Sequence, residues 1–331
     1  MKDKPVIVGA DPKEGTGRGV VSSASYEARK SGVRSATPIS RAWKLCPDGI
    51  YLRPHFDLYV EASNNIMQIL RSHADKFEQA GIDEAYLDIS SRVNSFDEAT
   101  EFAKKLMEEV LDKERLTCSV GVAPNKMLAK IGSDYEKPYG LTVIREEDAE
   151  KFLAPLNVRK IPGVGPKTEE RLQDLNIVII GDLAATDPDQ LARLFGSWGT
   201  KLHEYAHGID HREVIEGYET KSIGREVTFE KDVDDAGKIL ETLDDLAEEI
   251  HTELIDSGFR FKTITVKVRY ENFDTYTRAK SLSFLTNDVY ILRNNARRLA
   301  DAFLRGNKKI RLIGLRISTL EKYNKDPIIS T

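Results

Sequence analysis

Cysteine is scarce in this chain. Cys46 and Cys118 are the only two among 331 residues, and they stand far apart. They match no metal or redox spacing and cannot staple a secreted scaffold, so both are expected as buried or half-buried thiols in a reducing compartment. Long apolar runs are also missing: no stretch approaches the roughly 20 residues that cross a bilayer. The N-terminus, Met1-Lys2-Asp3-Lys4-Pro5, is polar and carries no signal-peptide pattern, so a cytoplasmic protein is expected. Six histidines are scattered along the chain, and zinc chemistry is not expected of them. There is no internal repeat or low-complexity tract. What remains is a globular composition, 40% hydrophobic and 31% charged, with length for roughly two to four domains.

The net charge is −5, which argues weakly against a nucleic-acid partner. Its distribution argues the other way. Between Gly258 and Arg316 there are 14 Lys and Arg against 4 Asp and Glu, a local balance of +10, so the remainder carries −15. A basic surface on an acidic protein suits a polyanion, although solvated helix and strand faces would give the same count.

Hydrophobic periodicity divides the chain. Short strands are expected at Pro5–Gly9 and Val20–Ala24, then short helices from Tyr26 to Ser31 and from Ile39 to Leu45. Amphipathic helices follow at Leu58–Ala74 and Phe96–Leu111, strands at Thr117–Val122 and Leu141–Ile144, and a helix from Asn125 to Ile131. This order predicts an α+β sheet domain with antiparallel neighbours. Residues 146–209 read as helical and punctuated by Gly, and 210–220 as a polar linker. The remainder reads as a four-stranded sheet carrying two helices.

The richest segment is Gly81-Ile82-Asp83-Glu84-Ala85-Tyr86-Leu87-Asp88-Ile89. Two adjacent carboxylates at the start of a β-prone run repel each other unless something cationic holds them. A pair of Mg²⁺ ions is one solution, used in phosphoryl transfer. Taken alone, the pair equally suits a solvated hairpin tip. An ideal strand would send the two side chains to opposite faces, so a turn or bulge at Gly81 is required.

Three other strings bear on phosphate. In Pro162-Gly163-Val164-Gly165-Pro166-Lys167-Thr168, a Gly-x-Gly opens a helix, so backbone N–H groups and Lys167 can approach a DNA backbone. A dinucleotide fold is disfavoured, since no strand precedes it and the third Gly is missing. Tyr26 and Arg29, three apart on one helix face, can clamp a triphosphate. Lys126, Lys130 and Lys137 surround a Pro-Gly loop and could neutralise phosphate oxygens, with Lys137 beside Pro138 the first choice.

Together these strings resemble a Y-family, translesion-type DNA polymerase, close to the DNA polymerase IV group. The matching pieces are Ser25–Val33, Ile82–Asp88, Ser119–Lys130, Lys137–Gly140, Pro162–Gly165 and Lys221–Glu226. The resemblance implies a multidomain α+β right hand: fingers at 1–54, a ferredoxin-like palm at 55–145, a helix-hairpin-helix thumb at 146–210, a linker at 211–220 and a four-stranded little finger at 221–331. It makes Asp83 and Glu84 the catalytic, metal-binding carboxylates for two Mg²⁺. Tyr26, Arg29, Lys137 and Ser23 become triphosphate contacts, and Gly163, Gly165, Lys167 and Arg225 DNA contacts. Primer–template DNA and deoxynucleoside triphosphates are the implied partners of a monomer active in DNA damage tolerance. A sliding clamp is a further family partner, but Ser318–Thr331 contains no clear clamp-binding peptide.

One departure from the pattern matters. The family pattern begins with an apolar strand holding the first metal-binding Asp, and this chain matches only after it, some 20–25 residues late by motif register. Asp3 and Asp11 have turn-like flanks and do not replace that Asp. Two metals roughly 4 Å apart need a shared carboxylate, so weak or absent polymerase activity is expected of this chain, a misplaced start being the simplest cause. The alternative is a DNA-binding homologue without catalysis.

Overall fold

The structure is a computed structural model, and it describes residues 3–217, 219–306 and 308–323. Met1, Lys2 and the last eight residues of the segment scanned for a clamp peptide lie outside the described residues. The chain divides into two compact units, Met1–Leu52 with Glu219–Thr331, and Arg53–Tyr218.

The first unit opens with β1 (Val6–Gly9), which pairs antiparallel with β2 (Val21–Ala24). Two short helices follow, α1 (Tyr26–Lys30) and α2 (Ile39–Leu45), then β3 (Ile50–Leu52), parallel to β1. Ser25 starts α1 as its N-cap, accepting the Ala28 N–H at 3.3 Å. Ile7, Val21, Ala28, Val33, Ile39 and Ala42 form the core here. β3 carries no sequence signal of its own; three residues become a strand because β1 offers them an edge.

The second unit begins with α3 (Phe56–Ser72), the hairpin strands β4 (Lys76–Gln79) and β5 (Ala85–Asp88), and α4 (Phe96–Glu114). β6 (Val120–Val122), α5 (Lys126–Tyr135) and β7 (Leu141–Val143) complete its mixed part. The expected antiparallel pairing holds for β4 with β5. It fails for β6 with β7, which run parallel because α5 serves as the crossover between them. That crossover is tight at Gly121, where a Cβ would lie 2.1 Å from the Ala129 carbonyl oxygen. The helical part follows: α6 (Ala149–Leu153), α7 (Pro166–Gln173), α8 (Ile180–Ala184), α9 (Pro188–Phe195) and α10 (Ser197–Ala206). Its core runs on into α5, where Met127, Leu128 and Ile131 join Leu153, Leu172, Ile180, Leu183 and Leu202.

Beyond Ala206 the chain does not leave at once. Asp210 has a fully buried side chain and accepts the Met127 N–H at 3.1 Å and two contacts from Arg212 at 2.8 and 2.9 Å. Glu78, 3% exposed, accepts the Ile215 N–H at 2.9 Å and pairs with buried Lys126. Lys76 holds Glu213 at 3.0 Å. Half of the expected linker is thus strapped to β4 and α5.

The first unit resumes with β8 (Ser222–Val233), α11 (Ala236–Asp256), β9 (Phe259–Tyr270), β10 (Thr275–Thr286), α12 (Val289–Leu304) and β11 (Ile310–Ser318). The strand order is β10-β9-β11-β8, antiparallel throughout. A short fifth strand, β12 (Glu321–Lys322), adds to β9, so the expected four-stranded sheet has five members. β12 is two residues long and has no pattern by which to be seen. α11 and α12 cover one face and bury Leu243, Leu246, Ile250, Leu292 and Ala296 against Phe261, Ile264, Val266 and Ile313.

Candidate active site

The acidic pair occupies the tip of the β4–β5 hairpin. Glu84 closes the turn, its carbonyl accepting the N–H groups of Ala80 at 2.9 Å and Gly81 at 3.1 Å. Buried Ser63 of α3 donates to the Ile82 carbonyl and pins the tip to the helix. Asp83 and Glu84 precede β5 rather than lying within it, so strand alternation does not separate them, and both are exposed. The hairpin has two faces. Phe77 and Leu87 pair in register, with Phe77 fully buried and Leu87 against the Ile69, Leu106 and Val110 core of α3 and α4. Glu78 and Tyr86 pair on the opposite face, where the Lys126 ammonium lies 4.9 Å from the Tyr86 ring centre.

Charge around the tip is organised as a line. Glu84 pairs with Lys130, whose ammonium lies 3.5 Å from Asp134, and Asp134 holds Lys137 at 2.5 Å. Burial opposes the charge on Lys130, but Glu84 and Asp134 outweigh it and raise its pKa. Burial likewise opposes the Asp134 carboxylate, yet Lys137 and Lys130 hold its pKa below the ordinary range. No ion-pair partner of Asp83 is present among the described residues.

The three lysines that surround the Pro-Gly loop are therefore differently engaged. Lys126 is 8% exposed and spent on Glu78, so it is structural, a correction to its expected role towards phosphate. Lys130 faces Glu84. Lys137 alone keeps a half-exposed ammonium, 44% accessible, beside the Pro-Gly loop. Spacing could not reveal this, because the buried acid that claims Lys126 lies on a strand 48 residues away.

Could the acid turn hold a divalent ion? Hard carboxylate oxygens suit Mg²⁺, and an ammonium already stands where positive charge is needed. Among the described residues no group of three acid, His or Cys side chains converges. The fit is that of two protein carboxylates with phosphate and water oxygens supplying the rest, an ordinary arrangement for Mg²⁺.

In the first unit, Tyr26 and Arg29 share one face of α1, with the guanidinium carbon 5.2 Å from the ring centre. Arg29 Nε donates to the Ala24 carbonyl at 3.0 Å, which fixes the stem of the side chain. Tyr26 is 44% exposed, and Ser23 is exposed on β2 opposite Val8.

Two further regions suit a polyanion. Gly163 has φ +94°, and a Cβ there would lie 2.9 Å from the Trp198 ring, so only Gly fits. Gly165 caps α7, Pro166 takes its first position, and Lys167 is exposed on its first turn. The helix-free face of the C-terminal sheet is the second. Register places Thr275, Arg269, Leu312 and Thr228 in one row, Thr277, Lys267, Gly314 and Glu226 in the next, then Ala279, Thr265, Arg316 and Gly224. Four threonines and three cations make up more than half of these positions, and Lys267 pairs with Glu226 in its own row at 2.8 Å. Lys267, Arg269 and Arg316 were not singled out in the sequence, because only the pairing register gathers them. Arg225 aligns with buried Leu315 on the helix-bearing face, where it holds Glu253 at 2.5 Å.

The impB/mucB/samB family model matches residues 1–134, its C-terminal domain matches 220–327, and the HHH motif of the family matches 146–177. A DNA polymerase IV 2 of Methanosarcina mazei is 46% identical over the whole chain and 89% of its own length. The chain belongs to the Y family of DNA polymerases. A DNA polymerase IV of Methanoculleus marisnigri is 48% identical, over 97% of this chain and 89% of that one. Among solved structures, a Y-family DNA polymerase chimera of Dbh and Dpo4 superposes with a TM-score of 0.89 at 33% identity, covering 97% of this chain and 93% of the chimera. The fold is thus the multidomain α+β fold of the Y family, with its HHH motif over 146–177, and the resemblance read from the sequence motifs holds. No helix among the described residues is long and apolar enough to span a membrane.

Proposed function

We propose that this Y-family chain is a template-directed DNA polymerase of the translesion type, acting in damage tolerance on primer–template DNA with deoxynucleoside triphosphates. The observation that carries this reading is the acid turn: two adjacent exposed carboxylates, pinned by Ser63 and faced by one ammonium, in a chain of this family. Residues 1–54 act as fingers, 55–145 as palm, 146–210 as thumb and 221–331 as little finger, the strap at 210–215 belonging functionally to the palm and thumb.

Asp83 and Glu84 would hold two Mg²⁺ ions together with triphosphate oxygens. When bound, these ions would supply charge neutralisation at the phosphates and a lowered pKa for the primer hydroxyl. The protein's own contribution is positional. Tyr26 offers a hydroxyl and Arg29 a guanidinium to the triphosphate, Lys137 a half-exposed ammonium, and Ser23 a hydroxyl. Gly163, Gly165 and Lys167 would receive the duplex backbone through N–H groups and charge. The sheet face bearing Lys267, Arg269 and Arg316 would receive phosphates without reading bases. Arg225 joins this set only by releasing Glu253. A non-catalytic DNA-binding reading draws support from the same basic face but leaves the exposed acid turn unexplained.

The test is extension of a primed template with Mg²⁺, beside Asp83→Ala/Glu84→Ala. The expected result is Mg²⁺-dependent extension that vanishes in the double variant while salt-dependent DNA binding survives. Extension that persists in the double variant would overturn the assignment.

A further inference from the structure

We propose that Lys130 is an internal counter-cation that neutralises Glu84 in the metal-free protein and passes to Asp134 on divalent-ion binding, loosening the hold of Asp134 on Lys137. The inference rests on the reading of Glu84 as a metal-binding carboxylate. Lys130 is a positioning residue in this scheme, since it acts through Glu84 and Asp134.

The geometry is that of a relay. Lys130 and Asp134 are four residues apart and share a face of α5. The Lys130 ammonium pairs with Glu84 and already lies 3.5 Å from Asp134 Oδ2. Asp134 Oδ1, the other oxygen, holds Lys137 at 2.5 Å. Two carboxylates and two ammonium groups sum to zero, so the line is balanced without any ion. Positive charge arriving at Glu84 repels the neighbouring ammonium. Asp134 is the acid already in contact with it, and a side-chain rotation suffices to reach it fully.

Asp134 then serves two ammonium groups instead of one and a fraction. The asymmetry of exposure decides which one yields. Lys130 is 24% accessible and confined, whereas Lys137 is 44% accessible and lies beyond the end of α5. Lys137 is therefore the group released towards an incoming anion. Metal arrival at the acid turn and readiness of a phosphate-binding ammonium become one event, with no backbone motion required.

The experiment titrates Mn²⁺ alone into the metal-free full chain, without DNA or nucleotide, and reads free Mn²⁺ by electron paramagnetic resonance. Lys130→Gln should bind Mn²⁺ about fivefold more tightly, the worth of one partly exposed ion pair, and Asp134→Asn should bind it more weakly by a similar factor. Lys130→Arg keeps the charge and should stay close to the parent. In parallel, amine labelling followed by mass spectrometry should show Lys137 reacting faster with Mg²⁺ than without it, a difference absent from Lys130→Gln. Unchanged Mn²⁺ affinity in Lys130→Gln and Asp134→Asn, with Glu84→Gln weakened, would overturn the relay and leave the carboxylate assignment standing. Metal-independent labelling of Lys137 in the parent would overturn its second half. Parental affinity in Glu84→Gln would remove the carboxylate assignment and the relay with it.

Discussion

The sheet of residues 222–318 and the mixed region of residues 56–143 solve the same packing problem at different scales. The former has three strands of twelve residues under two long helices and one continuous core. The latter has strands of three or four residues in two separate pairs, and a small core of Ile69, Leu106 and Val110 with half-buried neighbours around it. The region that bears the acids is the one with the thinner core. Its precision comes instead from polar ties: Ser63 to the turn, Glu78 to Lys126 and Ile215, Asp210 to Arg212 and Met127. A basic sheet needs only to present charge, so a generic apolar core suffices. An acid turn must be held in place, and hydrogen bonds fix direction where burial does not.

The contrast is broken most forcefully in the cores. Phe261 is fully buried beneath the large sheet, and Phe261→Ala should cost about 4 kcal/mol. Leu106→Ala, in the small core with half-buried neighbours, should cost nearer 2 kcal/mol, because the site can relax. Hydrogen exchange, resolved by peptide, checks both. The expected result is local loss of protection in each region, larger in the C-terminal sheet. Equal losses would mean that the acid-bearing region is as well cored as the sheet.

A subtler test strikes the polar ties. Burial disfavours the Asp210 carboxylate, but Arg212 and Lys201 more than compensate, and its pKa in the folded chain lies below the ordinary value. A depressed folded pKa contributes stability that is present above the unfolded value and lost as pH falls through the folded one. The parent should therefore lose stability in the 53–217 region as pH drops below about 4. Asp210→Asn should lower stability by about 2 kcal/mol at neutral pH, the scale of a hydrogen bond to a charged group, and flatten this acid limb. Denaturant melts at pH 7 and pH 3 check it: an acid limb as steep in the variant as in the parent would remove Asp210 as its source.

Sequence legibility follows the same division. Helices with one clear period were read to within a few residues: Ile39–Leu45 matches at both ends, the expected Leu58–Ala74 forms as Phe56–Ser72, and the expected Phe96–Leu111 as Phe96–Glu114. β3, β4 and β12 were missed because two to four residues carry no period, and only a neighbouring edge makes them strands. Asp83 and Glu84 were legible as a pair, since adjacent acids before an apolar run are unusual. Their partner Lys130 was seen as one of three lysines, without its role, because Glu84 lies 46 residues away in sequence. The same holds for the strap at 210–215, which composition described as a linker. Composition reports polarity but not whether a buried acid waits for it.

The smallest effect gives the sharpest distinction between charge that faces DNA and charge that serves the fold. Arg316 lies exposed on the helix-free face in register with Thr265, whereas Arg225 turns to the helices and spends its guanidinium on Glu249 and Glu253. Both count equally in the net charge. If the helix-free face is the polyanion surface, Arg316→Ala should weaken binding to primer–template about tenfold at low salt and reduce the salt slope by about one. Arg225→Ala should leave the slope unchanged and affect binding by less than about twofold, since it removes an exposed ion pair of little net worth. Binding measured at several salt concentrations separates the two. An equal fall in slope for Arg225→Ala would mean that the guanidinium leaves Glu253 for the duplex. The little finger would then engage DNA along its β8 rim instead of across its open face.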